Sequence, residues 1–234
     1  MITVHWKGRF GNQLFQYACG RLLAEHHGLK LNCPEHFSLD LFKPAPVYGD
    51  VLDSPTRILT DYDRADWFRG PRGKILLDGY FQDAGLYEPF RELIVDEFYP
   101  LPEVNMVPRI GCHVRLTDMY RESRSSGLDG YLQALELMPD GLDVVVCTDE
   151  PTHPIIEGIL EACKGREVVV SDQGAIADFL TIRESTHVIA TWLSSFAWWA
   201  TFLGEPEKVV LSYREGSKYS PSWRACAGYE MVYC

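Results

Sequence analysis

The strongest constraint on this chain is a regular alternation over residues 110–213. Runs of apolar and β-branched residues end at 110–112 and recur at 143–148, 167–170, 187–191 and 208–213. Segments with helical spacing separate them at 131–138, 155–163, 175–184 and from 194 onward. Strands without a polar face must be covered on both sides, and a helix between successive strands makes neighbours parallel. The expectation is an α/β fold with a parallel sheet of nucleotide-binding type. In such sheets ligands sit beyond the carboxyl ends of the strands, so the polar residues there are the first place to look for chemistry.

Four such ends carry polar groups. The first is His113-Val114-Arg115-Leu116-Thr117-Asp118. If the strand continues, His113 and Arg115 share a face, because side chains two apart point the same way. Asp118 falls where the chain turns. Arginine suits a phosphate because its planar fork gives paired charge-assisted hydrogen bonds and keeps its proton. The structural alternative is an Arg–Asp pair closing a strand end, with His113 a satisfied neighbour. The other ends carry Asp149, then Asp172, then Thr191, Ser194 and Ser195. Hydroxyls before an apolar helix are N-cap residues, and a capped helix start attracts anions. Trp198 and Trp199 lie on that helix and read as core. Residues 121–130 are a polar Ser/Arg/Gly loop, either a flap over a ligand or a plain connection.

Net charge narrows the partners. With 22 basic against 33 acidic residues the formal charge is −11, which argues against a general nucleic-acid or anionic-membrane surface. An anionic ligand then needs a local basic pocket, which Arg115 can centre. The seven cysteines show no CxxC or Cys/His spacing for zinc. Cys112 and Cys147 lie in buried strands and read as reduced small hydrophobes. No signal peptide or bilayer-length apolar run is present in the sequence, which reads as soluble and cytoplasmic.

The first hundred residues are less regular. Residues 2–6 form a strand, followed by a Gly-rich turn, Lys7 to Gln13, and a helix over 14–27 with Gly28 as its stop. A strand–turn–helix of this kind can offer backbone N–H groups and a basic side chain, here Arg9, to an anion. Without a ligand it is simply a tight turn. Residues 34–73 read as irregular, with a strand near 58–60. They contain Asp61-Tyr62-Asp63, which is either a divalent-cation site on a nucleotide diphosphate or a solvated turn. A strand at 74–82 and a helix at 86–98 follow. Pro100, Pro102 and Pro108 mark 100–108 as a linker, giving an N-terminal lobe at 1–105 and a C-terminal lobe at 106–234.

Several of these stretches together resemble successive motifs of the α-1,2-fucosyltransferase family. They are Gly8-Arg9-Phe10-Gly11-Asn12-Gln13-Leu14-Phe15-Gln16-Tyr17-Ala18, then Asp78-Gly79-Tyr80-Phe81-Gln82, His113-Val114-Arg115 with Asp118, and Ser194-Ser195-Phe196-Ala197-Trp198-Trp199. Order and approximate spacing match over about residues 2–213. The Arg motif is also similar to that of α-1,6- and protein O-fucosyltransferases. The resemblance implies a GT-B architecture of two Rossmann-like lobes, with the acceptor on the N-terminal side and GDP-fucose held mainly by the C-terminal lobe. It implies an inverting, metal-independent transferase with no cofactor, whose partners are a nucleotide sugar and an acceptor oligosaccharide. By the same resemblance Arg115 binds the donor diphosphate, His113 lies beside the nucleotide, and Asp172 accepts from guanine. Thr191, Ser194 and Ser195 line the phosphates, and Arg9, Gly11, Asn12 and Phe196 complete the donor-binding set. Asp118 is assigned a catalytic-site role beside Arg115; Asp118 and Glu122 are both candidates for the base. The chain departs from the family by its short length, by an unmatched middle at 34–73, and by Leu116 where a second Arg commonly stands. It is also about two residues longer between Ala190 and Ser194 than the usual pattern. Two other readings are a metal-dependent single-domain transferase using Asp61 and Asp63, and a non-catalytic nucleotide- or glycan-binding module.

Overall fold

The computed structural model describes residues 1–34, 47–48, 54–63, 73–98, 101, 103–117, 126–214 and 229–234. It divides into two compact units, Met1–Pro102 and Glu103–Cys234.

In the first unit five short strands form one parallel sheet: β1 (Ile2–Val4), β2 (Leu31–Cys33), β3 (Val47–Tyr48), β4 (Arg57–Leu59) and β5 (Ile75–Leu77), in the order β3-β2-β1-β5-β4. Helix α1 (Phe10–His27) packs on it through Leu14, Phe15, Tyr17, Ala18 and Leu23, all fully buried. It ends where Gly28 adopts φ 61°, a left-handed cap that its lack of a Cβ makes easy. The helix begins earlier than the sequence suggests, so Gly11, Asn12 and Gln13 belong to its first turn rather than to a loop. The β1–α1 turn is held by buried glutamines. Gln16 accepts from Lys7 N and donates to Lys7 O, both at 3.0 Å, and Gln13 donates to Gly8 O at 3.3 Å. The expected helix at 86–98 is instead α2 (Ala84–Tyr87) followed by short helical turns through residue 98. Pro89 lies at the break, where its ring and missing N–H interrupt a continuous ladder.

The second unit is a six-stranded, all-parallel sheet: β6 (Val107–Val114), β7 (Asp143–Thr148), β8 (Val168–Ser171), β9 (Ser185–Thr191), β10 (Lys208–Tyr213) and β11 (Tyr229–Tyr233). The order is β11-β10-β9-β6-β7-β8, so the chain builds outward from β6 and then returns to build from its other edge. Helices α3 (Gly127–Glu136), α4 (Pro154–Ala162), α5 (Ala175–Arg183) and α6 (Ser195–Phe202) connect the strands. Ile110, Cys112, Val114, Val144, Val146 and Ile189 form the sheet's share of the core, with Tyr131, Ile156 and Ile159 packed on them. Pro108, read as linker, lies inside β6; the register with β9 shifts between Val107 and Ile110, an irregularity that tolerates a residue without an N–H. Trp198 and Trp199 are buried and pack on Phe202, as core residues. Among the described residues no helix is long and apolar enough to cross a membrane.

Candidate active site

The reversal of strand order at β6 and β9 is a switch point, the place beyond the carboxyl ends where sheets of this kind receive ligands. Most of the expected C-terminal site residues lie at strand ends of this sheet. Strand β6 ends at Val114, so His113 is inside the ladder, paired in register with Cys147 and Ala190, and Arg115 is the first residue beyond it.

Arg115 is aimed by a carboxylate on the neighbouring strand. Val114 pairs with Thr148, which sets Arg115 beside Asp149. Arg115 Nε lies 3.1 Å from Asp149 Oδ2, with both side chains about a quarter exposed. The same carboxylate accepts from Leu116 N at 2.8 Å and from the Thr117 hydroxyl at 2.5 Å. Burial works to raise the Asp149 pKa, but the Thr117 and Leu116 hydrogen bonds and the Arg115 charge outweigh it and hold the group below the usual carboxylate range. Asp149 therefore stays ionised and fixes both the turn and the guanidinium. The sequence placed Asp149 at a strand end without pairing it to Arg115. Asp118, the partner considered there, lies outside the described residues, as do Arg121 and Glu122.

His113 is 7% exposed, and burial followed by the Arg115 charge lowers its pKa to about 4. It is a neutral imidazole near pH 7. Its ring stacks on Phe196, with centroids 5.0 Å apart, and Phe179 meets Phe196 edge-on. His113 Nδ1 is buried and has no hydrogen-bond partner among the described residues. A buried orphan of this kind costs about 1–3 kcal/mol unless something completes it, which is a reason to look for a ligand there.

Phe196 belongs to α6, whose start supplies the hydroxyls. Ser194 caps the helix, its Oγ accepting from Ala197 N at 3.2 Å, and Ser195 opens the first turn, half-buried. Thr191 is placed differently from the expectation. It is buried, and its hydroxyl is 2.6 Å from the Tyr131 hydroxyl, inside the wall of the unit. Asp172 follows β8 directly and is exposed, with no partner among the described residues.

The remaining site expectations fall in the first unit. Arg9 precedes α1 and is exposed, and Gly11 lies in the first turn. Asn12 Oδ1 accepts from Gln82 Nε2, joining the first and second motif stretches. Gly8 is required where it stands. Its φ is +69°, and a Cβ there would lie 1.9 Å from Asn12 Nδ2. The Asp61 and Asp63 carboxylates are used locally: Asp61 accepts from Tyr80 N at 3.0 Å and from Phe81 N, and Asp63 accepts from Thr60 N at 2.7 Å and the Thr60 hydroxyl at 2.8 Å. Asp63 thus closes its own turn, while Asp61 ties that turn to the chain after β5.

No family model and no curated sequence matches the chain. Solved structures do. An Arabidopsis thaliana FUT1 variant in complex with GDP aligns with TM-score 0.57 at 13% identity, covering 89% of this chain and 69% of that one. The α-1,6-fucosyltransferase NodZ, from Bradyrhizobium, co-crystallised with GDP, aligns with TM-score 0.56 at 15% identity over 87% of this chain and 92% of that one. The dodecameric, iron-containing glycosyltransferase TibC of enterotoxigenic E. coli aligns with TM-score 0.52 at 16% identity over 97% and 61%. At these identities the likeness shows the fold. The chain has a GT-B-like architecture, two Rossmann-like lobes with parallel sheets.

Proposed function

We propose that the chain is an inverting, metal-independent glycosyltransferase that moves L-fucose from GDP-β-L-fucose to a hydroxyl of an acceptor glycan, forming an α-1,2 linkage. The observation that carries this reading is Arg115. It stands one residue beyond the central strand at the switch point, held by Asp149, beside a buried His113 with an unpartnered Nδ1. Support also comes from the motif resemblance and from the GDP complexes of FUT1 and NodZ.

Transfer develops positive charge on the sugar while negative charge grows on the departing diphosphate. A cation fixed before the reaction stabilises that growth without reorganising, an effect worth several kcal/mol. Arg115 supplies the fork, and the Ser194-capped start of α6 supplies backbone dipoles of the right sign. His113, neutral near pH 7, contributes a polar nitrogen without adding charge. Asp172, unpartnered among the described residues, serves as the acceptor for guanine N–H groups. With these groups in place the diphosphate needs no metal. The first unit takes the acceptor in this reading, and the local commitments of Asp61 and Asp63 weigh against a cation site there.

Calorimetry with GDP, UDP and ADP in EDTA, followed by nucleotide release from the matching sugar donors with mixed acceptor glycans, tests the proposal. It expects GDP to bind and GDP-fucose to turn over with EDTA present. Loss of GDP binding on chelation, or turnover only with a UDP- or ADP-sugar, would overturn it.

A further inference from the structure

The added length between Ala190 and Ser194 has a definite place in the second unit. Trp192 and Leu193 are the corners of a turn between β9 and α6, closed by Ser194 N donating to Thr191 O at 2.9 Å. Trp192 N donates to Ser212 O at 3.2 Å, which holds the turn against the end of β10. The Trp192 ring meets Tyr213, the last residue of β10, with centroids 4.9 Å apart. Tyr213 in turn meets Tyr233, its register partner at the end of β11, at 5.5 Å. Three aromatic rings thus form one row across the carboxyl ends of β9, β10 and β11.

Alternation along the strands fixes the face this row occupies. Cys112 and Val114 lie in the core with Tyr131 of α3, so His113 between them faces the other side, where it stacks on Phe196 of α6. Ser212 also faces α3, since a Cβ on Gly130 would meet its hydroxyl, so Tyr213 faces the side of His113. The start of α6 therefore has His113 toward β6 and the aromatic row toward β10 and β11. Exposure is graded along the row: Trp192 is buried, Tyr213 partly buried, and Tyr233 53% exposed. Trp192 Nε1 is a donor with no partner among the described residues. A buried indole N–H ordinarily finds one, so this orphan points to an acceptor from outside the chain.

Strand order indicates what that acceptor belongs to. In the proposed site guanine is read at Asp172, after β8, and the diphosphate is held at Arg115 and the start of α6. Parallel strands lie about 4.8 Å apart, so β8 to β6 is roughly 10 Å, a span that a nucleoside diphosphate covers. The same line continued past the start of α6 reaches the ends of β9 and β10, and the group beyond the diphosphate is the sugar. Aromatic faces with one uncharged donor suit the C–H face and an oxygen of a neutral sugar; a phosphate calls for a cation or several N–H groups. We infer that Trp192, Tyr213 and Tyr233 form the subsite for the transferred sugar: the two tyrosines wall its apolar face, and Trp192 Nε1 donates to one of its oxygens. The inference deepens the transferase reading and rests on it. The row determines which sugar is held, and the nucleotide is left to the groups already described.

Calorimetry on the full chain with GDP and with GDP-fucose, without acceptor, separates the sugar from the nucleotide. Tyr213→Ala and Tyr233→Ala should each weaken GDP-fucose binding roughly 3–10-fold, and Trp192→Phe, which keeps a ring but loses the N–H, by a similar factor. GDP affinity of all three should stay within about twofold of the parent. A merely structural role for these rings would lower the affinity for both ligands together, so equal losses overturn the inference. Parental GDP-fucose affinity in the folded variants overturns it too. Should Trp192→Phe fail to fold, Tyr233→Ala, whose ring is more than half exposed, decides the matter by the same comparison. Failure of the parent chain to bind GDP at all is a different result: it removes the transferase reading and the subsite with it.

Discussion

The Asp149 carboxylate offers the most direct test of how the candidate site is built. It holds the Leu116 N–H at 2.8 Å, the Thr117 hydroxyl at 2.5 Å and Arg115 Nε at 3.1 Å. In Asp149→Ala the Leu116 N–H, on a buried residue, loses its partner at about 1–3 kcal/mol. The ion pair, partly open to solvent, contributes about 1 kcal/mol after screening. Thr117 is only partly buried and can turn to water at little cost. The total is roughly 2–4 kcal/mol, or a fall in Tm on the order of 6–15 °C for a unit of this size. Asp149→Asn separates the two duties of the side chain. Its Oδ1 still receives the Leu116 N–H, so stability falls by only about 1–2 kcal/mol. Its amide, however, turns a donor toward the donor Arg115 Nε and removes the compensating charge. Arg115 is then no longer aimed, and turnover should fall at least about tenfold. Scanning calorimetry and GDP release from GDP-fucose read the two effects. An Asp149→Asn variant with both melting and turnover unchanged would refute the account, since Asp149 would then neither hold the turn nor aim the arginine.

Three further outcomes are expected. His113, lowered to about 4 in the fold, adds stability that is fully present above its unfolded value of about 6.5 and is lost as pH falls through the folded value. Urea midpoints should therefore drop by the equivalent of about 2–3 kcal/mol between pH 7 and 4.5, and His113→Phe, which keeps the ring stack, should flatten that part of the profile. If Asp172 reads guanine, Asp172→Asn presents an amide donor to a donor edge; GDP affinity should fall by roughly 1–3 kcal/mol while UDP affinity barely moves, and equal losses would make Asp172 structural. Gly8→Ala must both adopt φ +69° and displace Asn12 from Gln82, so it should cost about 1–3 kcal/mol in chemical denaturation; a neutral effect would mean the turn is not fixed as described.

The second unit was legible because its strands are buried on both faces. Runs such as Val144-Val145-Val146 can be little else when helical periods flank them, and β7, β9 and β10 lie within two residues of the sequence reading. The first unit was harder because its strands are two or three residues long, too short for any period to register. β2 and β3 were not anticipated for that reason. β11 lies apart from the alternating series in sequence and, among the described residues, pairs with β10 alone, so its pattern stands by itself. The strand-end positions of His113 and Arg115 and the Ser194 cap were legible because residue type and position coincide there. The Arg115–Asp149 pair needed the strand register, which pairs Val114 with Thr148 and cannot be read from one strand. The surroundings of Thr191 were not legible. Its hydroxyl looked available at a strand end, but the Tyr131 hydroxyl on a covering helix takes it. The roles of Gln13 and Gln16 were not legible either; their amides bond the backbone of Gly8 and Lys7, which takes the folded turn to see.

The central claim is that Arg115 stabilises charge on a departing diphosphate, and the Arg115→Lys variant tests it most directly when turnover, GDP affinity and melting are measured on one preparation. Lysine keeps the charge but not the fork, so aimed hydrogen bonds become a single point contact. The account predicts a Tm within a few degrees of the parent, because a partly exposed ion pair contributes about 1 kcal/mol or less. It predicts a fall in kcat for GDP-fucose of roughly 10²–10³-fold, larger than the loss in GDP affinity, because the contact strengthens as the diphosphate gains charge. A stable Arg115→Lys variant with parental turnover would contradict it and would leave Arg115 and Asp149 as a pair that merely closes a strand end.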